Sequence, residues 1–203
     1  MSMHQYTTDS TERKFVPFWI AVAGILAAWG LNRIFEVVHI TPPWWIDAPA
    51  AFGFYELFYN IFNKWVWRWA SVRKTGLVRI PDLNGQWKGH LTSSFDKHAK
   101  EYEATIEICQ SWREISITLE TPHSKSRSII AAITINNPSE VILTYEYLNE
   151  PKAKAVEGMH AHRGTVHLTL NKTEGRESLS GDYYSGRDRQ KYGDLREFRR
   201  NEN

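Results

Sequence analysis

Between Phe15 and Leu31 the sequence runs FVPFWIAVAGILAAWGL, seventeen residues without a charge. A bilayer core of ~30 Å takes about 20 apolar residues of helix. The run therefore predicts a membrane span, with Asn32 and Arg33 at or just below its far interface. A cleaved signal peptide is the competing reading. The polar leader ahead of the run, the length of the run and a second apolar stretch behind it argue against that.

Pro42 and Pro43 cannot continue a helix, so the chain is expected to reverse there before a second run, Ile46–Trp69. Seven of the nine tryptophans lie between Trp19 and Trp69. The pairs Trp44/Trp45 and Trp65/Trp67 are separated by about 30 Å of helix, the spacing of two interfacial aromatic belts. A helical hairpin buried in a soluble core would not gather tryptophans at its ends. Arg13 and Lys14 precede the first run, Lys64, Arg68, Arg73, Lys74 and Arg79 end or follow the second, and the turn between has neither Lys nor Arg. The positive-inside rule then predicts two spans, with both termini and everything after residue 80 in the cytoplasm.

Several residues exceed what a plain anchor needs. Ala23/Ala27 and Gly24/Ala28 have the spacing of close helix contacts. Arg33 and Glu36 can pair across one turn, or simply reach the interface. Glu56, with Asn60 one turn on, falls near mid-span, where an unpartnered carboxylate costs several kcal/mol. Gly24, Ala28, Arg33, Glu36 and Glu56 are therefore expected to take part in membrane assembly.

After Pro81 the pattern changes to period two. Eight strands are expected, at about 84–93, 102–110, 113–121, 127–136, 140–148, 158–171, 178–186 and 191–199. Ile106/Ile108 alternate with Glu103/Glu107, and Val166/Leu168/Leu170 with Thr165/His167/Thr169. Short links make neighbours antiparallel. Eight such strands predict an all-β, eight-stranded antiparallel up-and-down barrel, lipocalin-like, behind a two-helix transmembrane hairpin. An open sandwich is the alternative. The domains expected are a cytoplasmic leader over 1–14, the hairpin and its exit over 15–79, and a ligand-sensing barrel over 80–203.

Barrel geometry gathers links one, three, five and seven at one rim: SSFDKHAK, TPHSKSR, NEPKAKAVE and SGRDRQK. They carry Lys97, Lys100, Lys125, Arg127, Lys152, Lys154, Arg187, Arg189 and Lys191 against Asp96, Glu150, Glu157 and Asp188. Tyr102, Tyr145, Tyr147, Tyr183 and Tyr184 fall toward the same end. Guanidinium and ammonium groups contact phosphates and aromatic faces stack on bases, so this mouth reads as a pocket for an anionic, base-containing small molecule. The binding residues expected are Tyr102, Lys125, Arg127, Tyr145, Tyr147, Tyr183, Arg187 and Arg189. A membrane-tethered barrel carrying some other anionic or apolar metabolite is the alternative.

The one cysteine, Cys109, allows no intrachain disulfide and reads as a packing residue. His160 and His162 share a face without a third ligand, which is poor ground for a metal. No nucleophile–base constellation, P-loop or dinucleotide fingerprint occurs, so no enzymatic activity, cofactor or metal is expected.

Two N-terminal spans, a tryptophan-rich exit, the entry PDLNGQWKG, in which Asn84-Gly-Gln-Trp87 is similar to the opening of lipocalin-like first strands, and the closing GDYYSGR…YGDLREFRR together resemble one family. It is the two-transmembrane β-barrel effector family of bacterial cyclic-oligonucleotide anti-phage signalling (CBASS), the CD-NTase-associated protein 15 family. The likeness covers nearly the whole chain. It implies a 3′,3′-type cyclic dinucleotide made by a partner nucleotidyltransferase as ligand, with no nucleic-acid polymer bound. It further implies homo-oligomerisation in the inner membrane on activation, and membrane disruption that kills the infected cell.

Overall fold

The computed structural model describes residues 3–39, 47–137, 140–156, 158–173, 176–187 and 189–200. The reversal at Pro42, Pro43, Trp44 and Trp45 lies outside the described residues, as do Glu157 and Asp188. The chain forms two compact units: Ser10–Arg79, and Met1–Asp9 together with Ile80–Asn203.

The first unit is helical. Helix α1 spans Glu12–Val37, α2 spans Asp47–Lys64 and a short α3 spans Ala70–Lys74. Val16, Ile20, Gly24 and Ala28 recur every four residues and form the buried stripe of α1. At Gly24 an added Cβ would stand 3.1 Å from the Tyr55 backbone nitrogen and 3.2 Å from the Ala51 carbonyl oxygen. Gly24 therefore packs against α2 of the same chain, and Ala28 lies on the same buried stripe. Glu12 is buried, and its carboxylate accepts hydrogen bonds from the Arg79 N–H (2.6 Å) and the Ser10 hydroxyl (3.0 Å), tying the two ends of this unit together. Among the described residues α1 alone is long and apolar enough to cross a membrane by length and composition. The second expected span, α2, has eighteen residues and carries Asp47, Glu56 and Lys64.

The second unit is a closed barrel, and it corrects the expected strand count. All eight strands read from the sequence are present: β2 Gly85–Leu91, β3 Tyr102–Gln110, β4 Glu114–Glu120, β5 Ser124–Asn137, β6 Glu140–Pro151, β7 His162–Thr173, β8 Arg176–Ser185 and β9 Tyr192–Arg200. A ninth, β1 (His4–Thr8), comes from the leader. The hairpin of β4 and β5 pairs directly only near its tip, Thr118–Glu120 with Lys125–Arg127. Beyond that the two strands diverge and β1 fills the gap, antiparallel to β4 and parallel to β5. Among the described residues the barrel therefore has nine strands and is not wholly antiparallel. Pairing of β2 with β9 completes the circuit.

Tyr6 gives β1 its hold. It is buried, and its hydroxyl donates to the Trp112 carbonyl oxygen at 2.9 Å and accepts from Gln110 Nε2 at 3.3 Å. Where β4 and β5 part, Ser128 Oγ accepts from the Ile117 N–H (3.0 Å) and bonds the His4 ring at 2.8 Å. Asp9 accepts the Ile135 N–H at 3.0 and 3.1 Å.

Trp87, which opens β2, is fully buried, with its indole N–H donating to the Leu83 carbonyl oxygen at 3.0 Å. Ile106, its partner on β3, is wholly buried too, as are Leu179 and Phe198. Truncation to alanine is expected to cost about 3–5 kcal/mol, because the cavity left by an indole cannot collapse inside a closed sheet. A denaturant melt of Trp87→Ala checks this, and an unchanged midpoint would refute it.

Candidate functional site

The four odd-numbered links and the strand ends beside them surround one cavity of about 430 Å³, within the ~300–1,000 Å³ range of small-molecule sites. Leu91, Leu119, Val166 and Leu195 form its apolar walls. Each lies on a strand and points inward by the alternation that buries Ile106, Ile117 and Leu168.

Of the expected binding residues, the structure brings Tyr102, Tyr147, Tyr183 and Arg189 to this cavity. Tyr147 is buried, and its ring lies edge-on to His162, centroids 6.3 Å apart. Gly164 faces it on β7, where a Cβ would collide with the Tyr184 carbonyl oxygen and the Tyr147 hydroxyl; glycine makes room for both. The Tyr102 hydroxyl donates to Asp96 Oδ2 (3.0 Å), and the Tyr183 hydroxyl to the Thr92 carbonyl oxygen (3.2 Å). Arg189 lines the cavity with Nη1 shielded from solvent and without a hydrogen-bond partner among the described residues. A buried guanidinium N–H lacking an acceptor is costly, and an anionic ligand would satisfy it.

Four expected residues lie elsewhere. Tyr145 is wholly buried in the core and does not line the cavity. Arg187 is exposed on its turn, away from the lining. Lys125 and Arg127 stand on the outer face of β5, where Lys125 comes within 3.7 Å of Glu120. Counting by twos back from buried Ala131 and Ile133 would have put both inside. A bulge between Ser128 and Ile130 inserts one residue and flips the parity, so Ser124 and Ser126 face inward instead. Lys152 also sits on the outer face, 2.8 Å from Glu120, and its hydrogen bond holds that carboxyl below the usual carboxylate range.

The structure adds residues that the sequence reading passed over. Lys154 and Lys191, counted there only among the basic rim residues, line the cavity, as do His123, His162 and Asn149. Phe95 is 64% exposed at the mouth, with the Arg189 guanidinium and the Lys191 ammonium each 6.0 Å from its ring centroid. Asn149 continues the inward series Tyr145, Tyr147, Asn149 on β6. Every ammonium and guanidinium group lining the cavity comes from the links after β6 and β8. No group of three or more acidic, histidine or cysteine side chains that could hold a metal occurs among the described residues.

Burial raises the phenol pKa values of Tyr145, Tyr147 and Tyr183 above the ordinary 10. The neutral phenol is thus favoured in the folded state. The stability it contributes is whole below about pH 10, and is lost as pH climbs from there through the raised folded values. Phenolate absorbance and far-ultraviolet dichroism are followed together as pH rises above about 10. The buried set should then ionise together with loss of β-sheet dichroism. Complete tyrosine ionisation with the sheet intact would overturn this.

The helical unit places its polar groups as follows. Arg33 pairs with Glu36 at 2.6 Å, both side chains more than half exposed, and its guanidinium lies 5.4 Å from the Trp29 ring. Asn60 Nδ2 donates to Glu56 Oε1 at 2.7 Å, and Glu56 is exposed on the surface of α2.

Two family models match the chain. Residues 14–68 match one described as Cap15, TM helices. Residues 78–200 match one described as Cap15, cyclic dinucleotide receptor domain. Among individual proteins, a CD-NTase-associated protein 15 of Yersinia aleksiciae is 29% identical over 148 residues, 72% of this chain and 67% of that protein. Another, from Staphylococcus schleiferi, is 28% identical over 153 residues, 75% of this chain and 79% of that one. No solved structure matches at a significant level.

Proposed function

Because the chain belongs to the Cap15 family, in which a cyclic dinucleotide receptor domain accompanies transmembrane helices, we propose that it is a CBASS effector whose barrel mouth binds a cyclic dinucleotide supplied by a CD-NTase. Binding drives copies of the helical hairpin to assemble in the bacterial inner membrane and breach it. The observation that carries the ligand reading is the cavity itself. Three tyrosines line a pocket that also presents an unpartnered guanidinium N–H. Aromatic faces suit bases, and the guanidinium suits a phosphate.

In this reading α1 and α2 both cross the bilayer, and the barrel and both termini lie in the cytoplasm; the distribution of Lys and Arg supports that orientation. The ligand shifts the balance between dispersed and assembled copies by binding the assembled state more tightly. The barrel needs no catalytic group for this role.

The test is calorimetric binding of 3′,3′-cyclic dinucleotides to the full-length protein in lipid nanodiscs. Arg189→Ala is expected to weaken binding by about 10–100-fold, the worth of a charge-assisted hydrogen bond. Arg187→Ala and Arg127→Ala are expected to change it less than about threefold, since neither lines the cavity. No binding at micromolar ligand, or equal losses from Arg187→Ala and Arg189→Ala, would remove the mouth as the site.

A further inference from the structure

We infer that the barrel reads one base of its cyclic dinucleotide, through Asn149 inside the cavity, and leaves the second base at the mouth against Phe95; this rests on the ligand reading above. A cyclic dinucleotide with two identical bases is twofold symmetric, and a site that read both would need matched readers on two sides. This cavity has no such pair. Asn149 is the one carboxamide lining it, and no carboxylate lines it, among the described residues.

Asn149 is also poised for a partner it lacks. The residue is 6% exposed, and its Nδ2 meets only the Met159 thioether, 3.4 Å away, among the described residues. A thioether is a weak acceptor, and the amide lines the cavity, so its second donor and its carbonyl oxygen are available to a ligand there. The hydroxyls beside it are already engaged. Ser126 donates to the Leu119 carbonyl oxygen (3.4 Å), and the Ser124 and Thr121 hydroxyls bond each other (3.2 Å). The adjacent donor and acceptor of the amide match the paired donor and acceptor on a base edge. A base with the wrong edge would leave the amide buried and unpaired, which is how such sites discriminate.

The second half of the ligand meets different chemistry. The cations of the mouth stand on one side, and two of them, Arg189 and Lys191, flank the exposed ring of Phe95. A base stacked on that ring would sit beside the phosphates those cations hold. Stacking accepts any base. One position is therefore selective and the other permissive.

Six ligands decide the matter: cyclic di-adenylate, di-uridylate, di-guanylate and the three mixed 3′,3′ forms, titrated into full-length protein in nanodiscs. The symmetric ligands are expected to spread over about 10–100-fold in affinity. Each mixed ligand that contains the preferred base should fall within about twofold of the best symmetric one, the statistical factor for one productive orientation in place of two. Asn149→Leu should collapse the spread to within about threefold, while Arg189→Ala weakens all six alike. Asn149→Asp keeps the shape and exchanges donors for acceptors, so it should re-rank the ligands even if the leucine variant folds poorly. Mixed ligands at the geometric mean of their symmetric parents would show that both bases are read, and an unchanged ranking in both Asn149 variants would show that Asn149 is not the reader. Either result overturns the inference with the ligand class intact. Failure of all six to bind the wild type would instead overturn the ligand class, and this inference with it.

Discussion

A chain lacking residues 2–9 is expected to lose at least about 3–5 kcal/mol of barrel stability, comparable to deleting one large buried side chain. The deletion removes Tyr6, which is 5% exposed, together with its hydrogen bonds to Trp112 and Gln110. It also leaves β4 and β5 apart over the stretch where β1 supplied pairing at Ile115, Glu114, Ala131, Ala132 and Ile133. Backbone groups there would have to find water or one another. Tyr6→Ala alone should account for most of the loss, because the ring is the anchor and the other side chains of β1 are polar. Tyr6→Phe should cost only about 1 kcal/mol, the net worth of its hydroxyl contacts. The check is the denaturant midpoint of each purified chain in detergent. A truncated chain as stable as the parent would mean that β4 and β5 close along their whole length without help.

The second large effect is expected from Glu56→Leu. In liposomes loaded with a fluorescent dye, leakage triggered by cyclic dinucleotide should fall about tenfold or more, while ligand affinity stays within about threefold of the parent. The carboxylate is exposed on α2, and Asn60 satisfies one of its oxygens at 2.7 Å. In hydrocarbon the remainder costs about 2.5–3.5 kcal/mol on insertion scales, a cost that contact with a neighbouring copy relieves. Leucine removes that penalty from the dispersed state and with it the drive to assemble. Exchanging Arg33 and Glu36 for each other should matter far less, since that pair is more than half exposed and satisfied within its own helix. Full leakage in Glu56→Leu would take Glu56 out of the assembly step.

Period-two alternation was enough to locate all eight strands after Pro81, because Ile, Val and Leu occupy the inward positions of β3, β4, β6 and β7. It failed where the inward residues are polar or the register shifts. β1 reads HQYTT, with Tyr6 its one large inward side chain, so five residues of leader gave no strand signal. The sequence reading began β5 at 127 and ended β6 at 148. It thereby missed Ser124, Ser126 and Asn149, whose hydrophilic side chains face the cavity rather than the apolar core. The bulge at Ser128–Ile130 has no marker such as glycine or proline, and it leaves Lys125 and Arg127, expected among the binding residues of the rim, on the outer face of β5. Tyr147 was legible because it continues an unbroken alternation; Arg189 was legible only as one of several loop cations. Small-residue spacing located a real helix contact at Gly24, but it could not say that α2 of the same chain would be the partner.

The insertion of the hairpin between β1 and the remaining strands sets an order on biogenesis. Tyr6 and the Trp112 carbonyl that holds it are 106 positions apart along the chain. The first stave of the barrel leaves the ribosome well before its neighbours and must wait, unpaired, while both helices and three further strands are made. Sheet closure is thus a late, long-range event. A nascent chain has its helices before it has a closed barrel, and a fragment begun at Ile80 would be a barrel with one stave missing.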